Sequence, residues 1–530
     1  MSRFVRPSKY RHVFGQLAKK EHGLENVKVT NSAWDTNLIS ASGKYLSVNW
    51  NASGGGAFAI LPLISPFHGI NGFPHKLPDQ LPLARSHSAP VLDTDWSPHN
   101  DSIVASGGED GKAMIWKVEP SQFEGWNTEG WVPEDFDPVL RIDASPRKIG
   151  QVLFHPTAAQ VLATVSGEYT IKLWDLAAPE DPRITLSGHG DSVQGLAFNT
   201  TGTLLATTCR DRKIRMFDPR TGGQAVRVTD GHSGIKGARV VWMGEHDRIA
   251  TTGFSKMSDR QVSIWETGSL NNLKTMTIDQ SSGVTMPFWS DNNILFLAGK
   301  GDGNIRYYEY ESDNLFALAE YKSSDPQRGV CFLPRRALNV AECEIARAYK
   351  VVSSGIEPIA FIVPRKADGF QSDIFPSAPS LEPSLSASEF FSGKLAPANL
   401  INLGDGSITS GSQPSASPAP APAPISSPPV SREPTVSVPA PAPVRAPSPT
   451  FAPAQRSASP LPSSSPPHRS TTSDIQMGSG EDTSSPLKEE NSRLTTELRD
   501  AREKIRNLEL QVESLRANAR KAAQALQMDI

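Results

Sequence analysis

An acidic residue is followed six positions later by an aromatic residue five times in this 530-residue chain. The five pairs are Asp110 and Trp116, Glu168 and Trp174, Asp211 and Phe217, Asp259 and Trp265, and Asp302 and Tyr308. The aromatic residues recur every ~43–58 residues, close to the period of a four-stranded propeller blade. Short apolar runs separated by Gly, Asp, Asn or Pro lie between them, which is typical of strands and tight turns. The repeat therefore predicts an all-β ring of blades.

A histidine precedes three of these acidic turns. The combination resembles the Gly-His and Trp-Asp marks of WD-repeat proteins, whose blades use His, Ser or Thr, Asp and Trp as a buried hydrogen-bonded set. Phe217 cannot donate an indole N–H, so we expect an incomplete set there. We assign a structural role in this network, rather than catalysis or metal binding, to His87, Asp110, Trp116, His189, Asp211, His232, Asp259 and Trp265.

The segments on either side of the five units also read as meanders of short strands, at residues 29–63 and 325–365. Together with the five repeats they predict seven blades. An open stack of blades exposes an unpaired edge strand at each end, and pairing the two ends removes both edges. We therefore expect the N-terminal and C-terminal segments of the ring to meet.

Composition limits the compartment and the kind of partner. The formal net charge is −3 and the pI about 6.4, which argues against bulk attraction to nucleic acid or to an anionic membrane. Cys209, Cys331 and Cys343 are too few and too scattered for a disulfide framework or a zinc site, so buried reduced thiols are expected. No apolar run is long enough for a transmembrane segment or a signal peptide. We expect a cytoplasmic protein without a catalytic set, a metal or another cofactor.

Four motifs outside the repeat carry a more specific resemblance. They are "SKYRHVFG" (8–15), "ASGGGAF" (52–58), "GIEPIAFIVPRKADGFQSDIFP" (355–376) and "EFFSGK" (389–394). In residues and in order they resemble the coronin family of actin-binding WD-repeat proteins, over about residues 1–405. The resemblance implies a coronin signature with the first blade at 1–65, the remaining blades at 66–365, and an extension at 366–405 packed on the ring. Phe370, Phe375, Phe390 and Phe391 are the expected anchors of that extension.

Residues 406–484 are rich in Pro, Ser and Ala and poor in apolar anchors, so we expect a disordered tether. Its Ser-Pro pairs are candidate phosphorylation sites, and its Pro-Ala repeats are candidate ligands of SH3-type domains; both are hypotheses.

Residues 485–527 follow a heptad pattern, which predicts a coiled coil and self-association. A polar Asn491 and β-branched Ile505 and Val512 at the a positions favour two strands. However, "KIRNLE" (504–509) resembles an Arg-led trimer signature of coronin tails with Lys504 in place of the arginine, so dimer and trimer both stay open. The expected oligomerisation residues are Leu487, Leu494, Leu498, Ile505, Leu508, Val512 and Leu515.

The coronin resemblance implies binding to the sides of actin filaments, contact with the actin-related protein 2/3 nucleation complex, and modulation of branching and cofilin-driven turnover at the cell cortex. Because actin filaments are acidic, a basic surface is expected. By the resemblance, Lys28 in "ENVKVT" stands where the family carries a basic residue implicated in filament contact, so it is the best candidate contact; Arg11, Lys19 and Lys20 are further candidates from the same N-terminal stretch. A general WD-repeat scaffold, such as a ubiquitin-ligase substrate receptor, and a microtubule-associated protein are the alternatives.

Overall fold

The structure, a computed structural model, describes residues 6–32, 36–54, 56–63, 74–125, 130–366 and 369–410, together with Thr496 and Arg499. The chain divides into two units, Met1–Ala423 and Pro424–Ile530. In the second unit only Thr496 and Arg499 are described, and both are helical. Residues 411–484 of the predicted tether, and the oligomerisation residues of the predicted coiled coil, therefore lie outside the described residues.

The first unit begins with two short strands and continues into six sheets of four antiparallel strands each. The two short strands are β1 (Phe14–Leu17) and β2 (Leu24–Glu25). Blade 1 contains β3 (Ile39–Ala41), β4 (Tyr45–Trp50), β5 (Ala57–Pro62) and β6 (Leu83–Ala84); blade 2 contains β7 (Val91–Trp96), β8 (Ile103–Gly108), β9 (Lys112–Lys117) and β10 (Pro138–Asp143). Blade 3 contains β11 (Ile149–Phe154), β12 (Val161–Ser166), β13 (Ile171–Asp175) and β14 (Ile184–Leu186).

Blades 4 to 6 repeat the same order, and each sheet runs from its first strand to its fourth. Blade 4 contains β15 (Val193–Phe198), β16 (Leu205–Cys209), β17 (Lys213–Phe217) and β18 (Arg227–Asp230); blade 5 contains β19 (Arg239–Trp242), β20 (Arg248–Phe254), β21 (Arg260–Glu266) and β22 (Asn272–Asp279). Blade 6 contains β23 (Thr285–Ser290), β24 (Ile294–Gly299), β25 (Ile305–Glu311) and β26 (Asn314–Tyr321). Single 3-10 turns lie at Lys20–His22, Pro120–Phe123, Arg335–Ala337 and Val340–Glu342.

The seventh blade closes the ring with strands from both ends of the propeller sequence. It contains β27 (Gly329–Phe332), β28 (Glu344–Val351) and β29 (Gly355–Ile362), and β1 adds to β29 as the outermost strand, with Phe14 opposite Ile362. A Cβ on Gly15 would lie 2.9 Å from the Cβ of Tyr321, so this close approach of β1 requires glycine. The seven-bladed ring and the predicted meeting of its two ends are confirmed.

The first strand of every blade lines an axial channel of about 340 Å³. Half-buried polar side chains tie neighbouring first strands together around it. Asp93 accepts a hydrogen bond from the N–H of Val152 at 3.1 Å, and Asp95 accepts one from the N–H of Phe154 at 2.8 Å, so both carboxyls on β7 bridge blade 2 to blade 3. These bonds satisfy donors on strand edges that lack a neighbouring strand.

The constant offset of six positions between the acidic and the aromatic residue of each repeat has a simple structural cause. In each of the five repeats the acidic residue lies in the turn between the second and third strands, and the aromatic residue lies in the third strand. Trp116 and Phe217, for example, are fully buried between blades. Apolar side chains on both faces of each sheet pack against the neighbouring blades, so the core runs around the ring.

The C-terminal extension lies on the ring, as predicted. It contains β30 (Ala378–Pro379), α1 (Ala387–Phe391) and β31 (Leu400–Ile401). A further strand, β32 (Ile408–Thr409), pairs with β31 to complete a small three-stranded sheet, so the ordered extension continues past the predicted boundary at 405 into the first residues of the expected tether. Phe390 is buried with its ring centroid 4.2 Å from that of His155, which follows the first strand of blade 3. Phe375 is also buried and stacks on Phe370, which stays partly exposed. The extension therefore covers the blade ends that carry the turn between first and second strands.

Candidate functional site

The other end of the blades carries the turns between second and third strands and the connections from one blade to the next. We call it the turn face. Because consecutive strands are antiparallel, these turns and connections lie at the same end of every blade. Lys28 belongs to this face, since its carbonyl accepts a hydrogen bond from Asn51 N at 2.7 Å, at the start of the second turn of blade 1.

Backbone bonds fix the segment that carries Lys28. Val27 N donates to Ser354 O of blade 7, and Val29 forms a bridge with Trp50 of blade 1, so the segment crosses the closure of the ring. Val27 and Val29 are buried, whereas Lys28 between them is exposed, as expected when successive side chains of an extended segment point to opposite sides. The sequence Val-Lys-Val thus presents the lysine to solvent from a rigid backbone.

The ammonium of Lys28 also contacts a loop that is distant in sequence. Its Nζ donates to Asp79 O at 3.1 Å and lies 3.6 Å from Asp79 Oδ1, while the Lys28 side chain stays 42% exposed. Asn26 Nδ2 donates to Leu77 O and to Asp79 Oδ1. These contacts from Asn26 and Lys28 lower the pKa of Asp79, which remains mostly exposed.

Lys19 and Lys20 flank a cleft of about 950 Å³ beside Lys28, at the junction of blades 7 and 1. We call it the closure cleft. Lys20 pairs with Glu25 at 3.0 Å and lowers the pKa of that carboxyl, whereas Lys19 is exposed and forms no ion pair in the described part of the chain. Lys76 lines the opposite side of the cleft. Three lysines therefore line the closure cleft on the turn face, together with the acids Glu25, Asp79, Asp325 and Glu357. Lys28 reaches the edge of the cleft through its contact with Asp79.

Arg11 lies elsewhere. It precedes β1, whose first residue is opposite Ile362, while Lys19 and Lys20 follow the strand, where Ala18 N donates to Pro358 O. Arg11 and the two lysines are thus at opposite ends of β1, so Arg11 lies away from the closure cleft. The spacing in sequence could not show this, because an intervening strand sends flanking residues to opposite ends of a blade.

The histidine network is complete in blade 2. Trp116 Nε1 donates to Ser106 Oγ at 2.8 Å, Ser106 Oγ lies 2.8 Å from His87 Nε2, and His87 Nδ1 lies 3.0 Å from Asp110. This arrangement fits a proton on Nδ1, with Nε2 accepting from the serine. Burial opposes ionisation of Asp110, but His87 and backbone N–H groups lower its pKa.

The structure differs from the expected network in blades 4 and 5. His189 Nε2 contacts Thr207 Oγ1 at 3.0 Å, but its Nδ1 donates to Tyr169 O, and Asp211 instead pairs with Arg215 at 2.6 Å. A charge-assisted, two-pronged bond from arginine is stronger than one from neutral histidine, which explains the exchange. Phe217 leaves Thr207 without an indole partner, as predicted.

In blade 5 the inner part of the network is formed, because Trp265 Nε1 and His232 Nε2 both contact Thr251 Oγ1. Asp259, however, accepts from Ser255 Oγ at 2.8 Å, and the described contacts include none between Asp259 and His232. The expected His232–Asp259 pair is therefore not formed. A serine four residues before the aspartate, within the same turn, is the nearer donor.

Other titratable groups have structural surroundings. The three cysteines are buried free thiols, as predicted, and burial raises the pKa of Cys209 to about 11. Within the described ranges no group of three His, Cys, Asp or Glu side chains is arranged to hold a metal ion. No helix in the same part of the chain is long and apolar enough to cross a membrane.

Sequence reasoning missed Lys76 and Asp79. Both lie in the connection between the third and fourth strands of blade 1, about fifty positions after Lys28. The segment "HKLPDQ" has no motif that marks it. The parallel bridge of Glu25 with Lys76, together with the contacts from Asn26 and Lys28, brings it to the closure cleft. No signal in the sequence alone identifies that contact.

Three family descriptions match parts of the chain. A domain of unknown function, DUF1899, matches residues 3–67, and the WD domain, G-beta repeat, matches residues 80–117 and 180–218. A type of WD40 repeat matches residues 356–398, which here form β29 and most of the C-terminal extension.

Comparison with known proteins gives one consistent result. A coronin-like protein of Schizosaccharomyces pombe is 52% identical over 406 residues, which are 76% of this chain but 65%, just under two thirds, of that relative. Coronin-A of Dictyostelium discoideum is 41% identical over 77% of this chain and 87% of its own length. The crystal structure of the WD40 domain from Toxoplasma gondii coronin matches with a TM-score of 0.66 and 27% identity, over 74% of this chain and 97% of that one. The chain belongs to the coronin family.

Proposed function

We propose that the protein binds the sides of actin filaments through the turn face at the closure cleft, and crosslinks filaments by self-association of its C-terminal segment. Membership of the coronin family supports this, because the family resemblance implies filament binding. The observation that carries the proposal is Lys28, an exposed cation held at the ring closure by backbone bonds to blades 7 and 1.

The electrostatics suit an acidic partner. Lys19 and Lys76 line the closure cleft and Lys28 contacts Asp79 at its edge, although the acids Glu25, Asp79, Asp325 and Glu357 line the same cleft. The exposed lysines can pair with carboxylates of an acidic polymer, and such pairs supply a share of the affinity that falls with salt. A rigid backbone lowers the entropy lost when the lysines meet their partner.

Self-association multiplies a weak contact. Two or three rings joined by the predicted tether raise the effective concentration of the second binding site, so that one oligomer reaches two filaments. The proposal includes the further roles implied by the family: contact with the actin-related protein 2/3 nucleation complex, modulation of branching and of cofilin-driven turnover, and a place in the cytoplasm at cortical actin.

The test is co-sedimentation of Lys28→Glu with actin filaments. We expect the filament affinity to fall about tenfold, since a charge within an interface is reversed. Lys274→Glu is the matched control, because Lys274 is an exposed lysine on β22, the outermost strand of blade 5, and the net charge changes equally. Equal weakening by both variants would show a dependence on net charge alone and would refute a role for this site.

A further inference from the structure

We propose a second filament contact on the turn face at blades 4 and 5, which we call the distal patch. This inference rests on the proposed function and adds a surface to it. The patch combines exposed cations with exposed apolar side chains on neighbouring loops. Its residues are Arg210, Arg212, Ile235, Lys236, Lys256 and Met257.

The loops of the distal patch are neighbours in space. Arg210 and Arg212 lie in the second turn of blade 4, and Gly231 N, which follows the last strand of that blade, donates to Arg212 O. Gly234, next to Ile235, donates to Phe254 O at the start of the second turn of blade 5, which carries Lys256 and Met257. Backbone bonds thus join the loop after β18 to the turns on both sides of it.

The cations of the patch have no carboxylate partner. Arg210, Arg212, Lys236 and Lys256 are exposed, and none of them forms an ion pair in the described ranges. Of the nearby acids, Asp211 pairs with Arg215 and Asp230 with Lys213, while Asp259 accepts from Ser255 and keeps its charge, so one such carboxylate stands against the four cations. The ammonium of Lys236 lies 4.8 Å from the centre of the Phe254 ring, which fixes its position without neutralising its charge. The patch therefore keeps a positive potential that is free to meet a partner.

Two apolar side chains lie among these cations with most of their surface in water. Ile235 is 77% exposed and Met257 is 83% exposed, so neither contributes to the core of the ring. Burying such side chains against a partner removes apolar area from water, and methionine adapts readily to an irregular surface. A centre of apolar contact bordered by charges is the usual composition of a protein interface.

The position of the patch indicates which partner it meets. Blade 4 lies diametrically across a seven-bladed ring from the junction of blades 7 and 1, and both surfaces are on the turn face. A flat acidic partner that reaches Lys28 therefore also reaches the distal patch. We assign the patch to the same acidic protein polymer, because a lipid surface on this face would compete with the filament for the closure cleft. Two contacts separated by the width of the ring hold the disc against tilting on the filament.

The experiment uses the full chain in two double variants. Arg210→Glu with Lys256→Glu reverses the charge, and Ile235→Ser with Met257→Ser removes the apolar side chains but keeps the charge. We expect filament affinity to fall about tenfold for the first and about threefold for the second, with unchanged thermal unfolding. Lys274→Glu on blade 5 is the control for charge reversal outside the patch. Lys28→Glu is the control for the contact at the closure cleft.

The outcomes separate the two proposals. If Lys28→Glu loses affinity while both double variants bind filaments like the parent, the distal patch is not a filament contact and the proposed function stands. If the double variants keep filament affinity but lose binding to phosphatidylserine vesicles that the parent retains, the patch meets lipid and the inference is overturned. If the parent itself does not bind filaments, both proposals fail.

Discussion

At the scale of single residues, one hydroxyl organises the interior of a blade. Ser106 Oγ joins Trp116 to His87, and His87 joins it to Asp110, so a chain of bonds runs from the third strand to the turn face. Every polar atom in this chain is buried and paired, and such networks stabilise more than the sum of their single bonds. In blade 4, where Phe217 replaces the tryptophan, the equivalent hydroxyl of Thr207 keeps only the histidine.

Trp116→Phe tests the value of that network. The change leaves the buried hydroxyl of Ser106 without its indole donor and opens a small cavity, so we expect the free energy of unfolding to fall by about 1–3 kcal/mol. Chemical unfolding measures it. A double-mutant cycle with Ser106→Ala should give a smaller total loss than the sum of the two single losses, whereas strict additivity would contradict a shared network.

At the scale of strands, the blades are joined by half-buried carboxyls as well as by apolar packing. Asp93 and Asp95 bind backbone N–H groups of β11, and burial raises their pKa values to about 8 and about 7. For Asp93, repulsion from Asp95 adds to the shift, while the bond from Val152 opposes it. A raised pKa in the folded state means that the folded protein holds the proton more tightly than the unfolded chain does. The unfolding free energy contributed by these groups is therefore lost as pH rises from about 4 to about 8.

Asp93→Asn should remove part of this pH dependence. The amide oxygen still accepts from Val152 N–H, and the side chain no longer ionises. At pH 8 we expect the unfolding free energy of the variant, relative to that of the parent, to be about 1–2 kcal/mol higher than the same difference at pH 4. The expected gain is smaller than the full pKa shift of Asp93 implies, because this side chain is only half-buried. Urea unfolding at several pH values checks it, with the exposed Asp181→Asn as control. If the difference in unfolding free energy between Asp93→Asn and the parent stays constant across pH, Asp93 is not a source of the pH dependence.

At the scale of the whole molecule, the proposed function gives the ring and the tail separate tasks. Strand β1 completes blade 7, and backbone bonds to blades 7 and 1 hold the segment that carries Lys28, while the predicted coiled coil is expected to set how many rings act together. On this proposal, filament binding belongs to the ring, and filament crosslinking needs both.

Replacing the d-position residues Leu494, Leu508 and Leu515 with serine should dissociate the oligomer, because the helices lose their apolar seam. We expect light scattering to report a monomer and low-speed sedimentation to report loss of filament bundling, with the melting temperature of the ring unchanged. The control places serine at the f positions Thr496 and Glu503, away from the seam. A triple variant that still bundles filaments would show that crosslinking does not depend on this segment.

The sequence predicted the ring because its repeat is local. The offset between acid and aromatic spans one turn and one strand, so it is visible without knowing any long-range contact, and the missing indole at Phe217 was equally visible. The partners of Asp211 and Asp259 were not predictable, since Arg215 and Ser255 replace histidine through short-range geometry that a motif does not encode. The position of Lys76 at the closure cleft and the separation of Arg11 from Lys19 and Lys20 both depend on strand pairing at the ring closure. No spacing in the sequence reveals this pairing.

Co-sedimentation of the intact chain with actin filaments over a salt series is the most direct test of the account. If a basic face on a rigid ring binds filaments and self-association joins several rings, the protein should pellet with filaments at low ionic strength. It should be released progressively as salt screens the lysines. A protein that stays in the supernatant at low ionic strength, while remaining folded and oligomeric, would contradict the account.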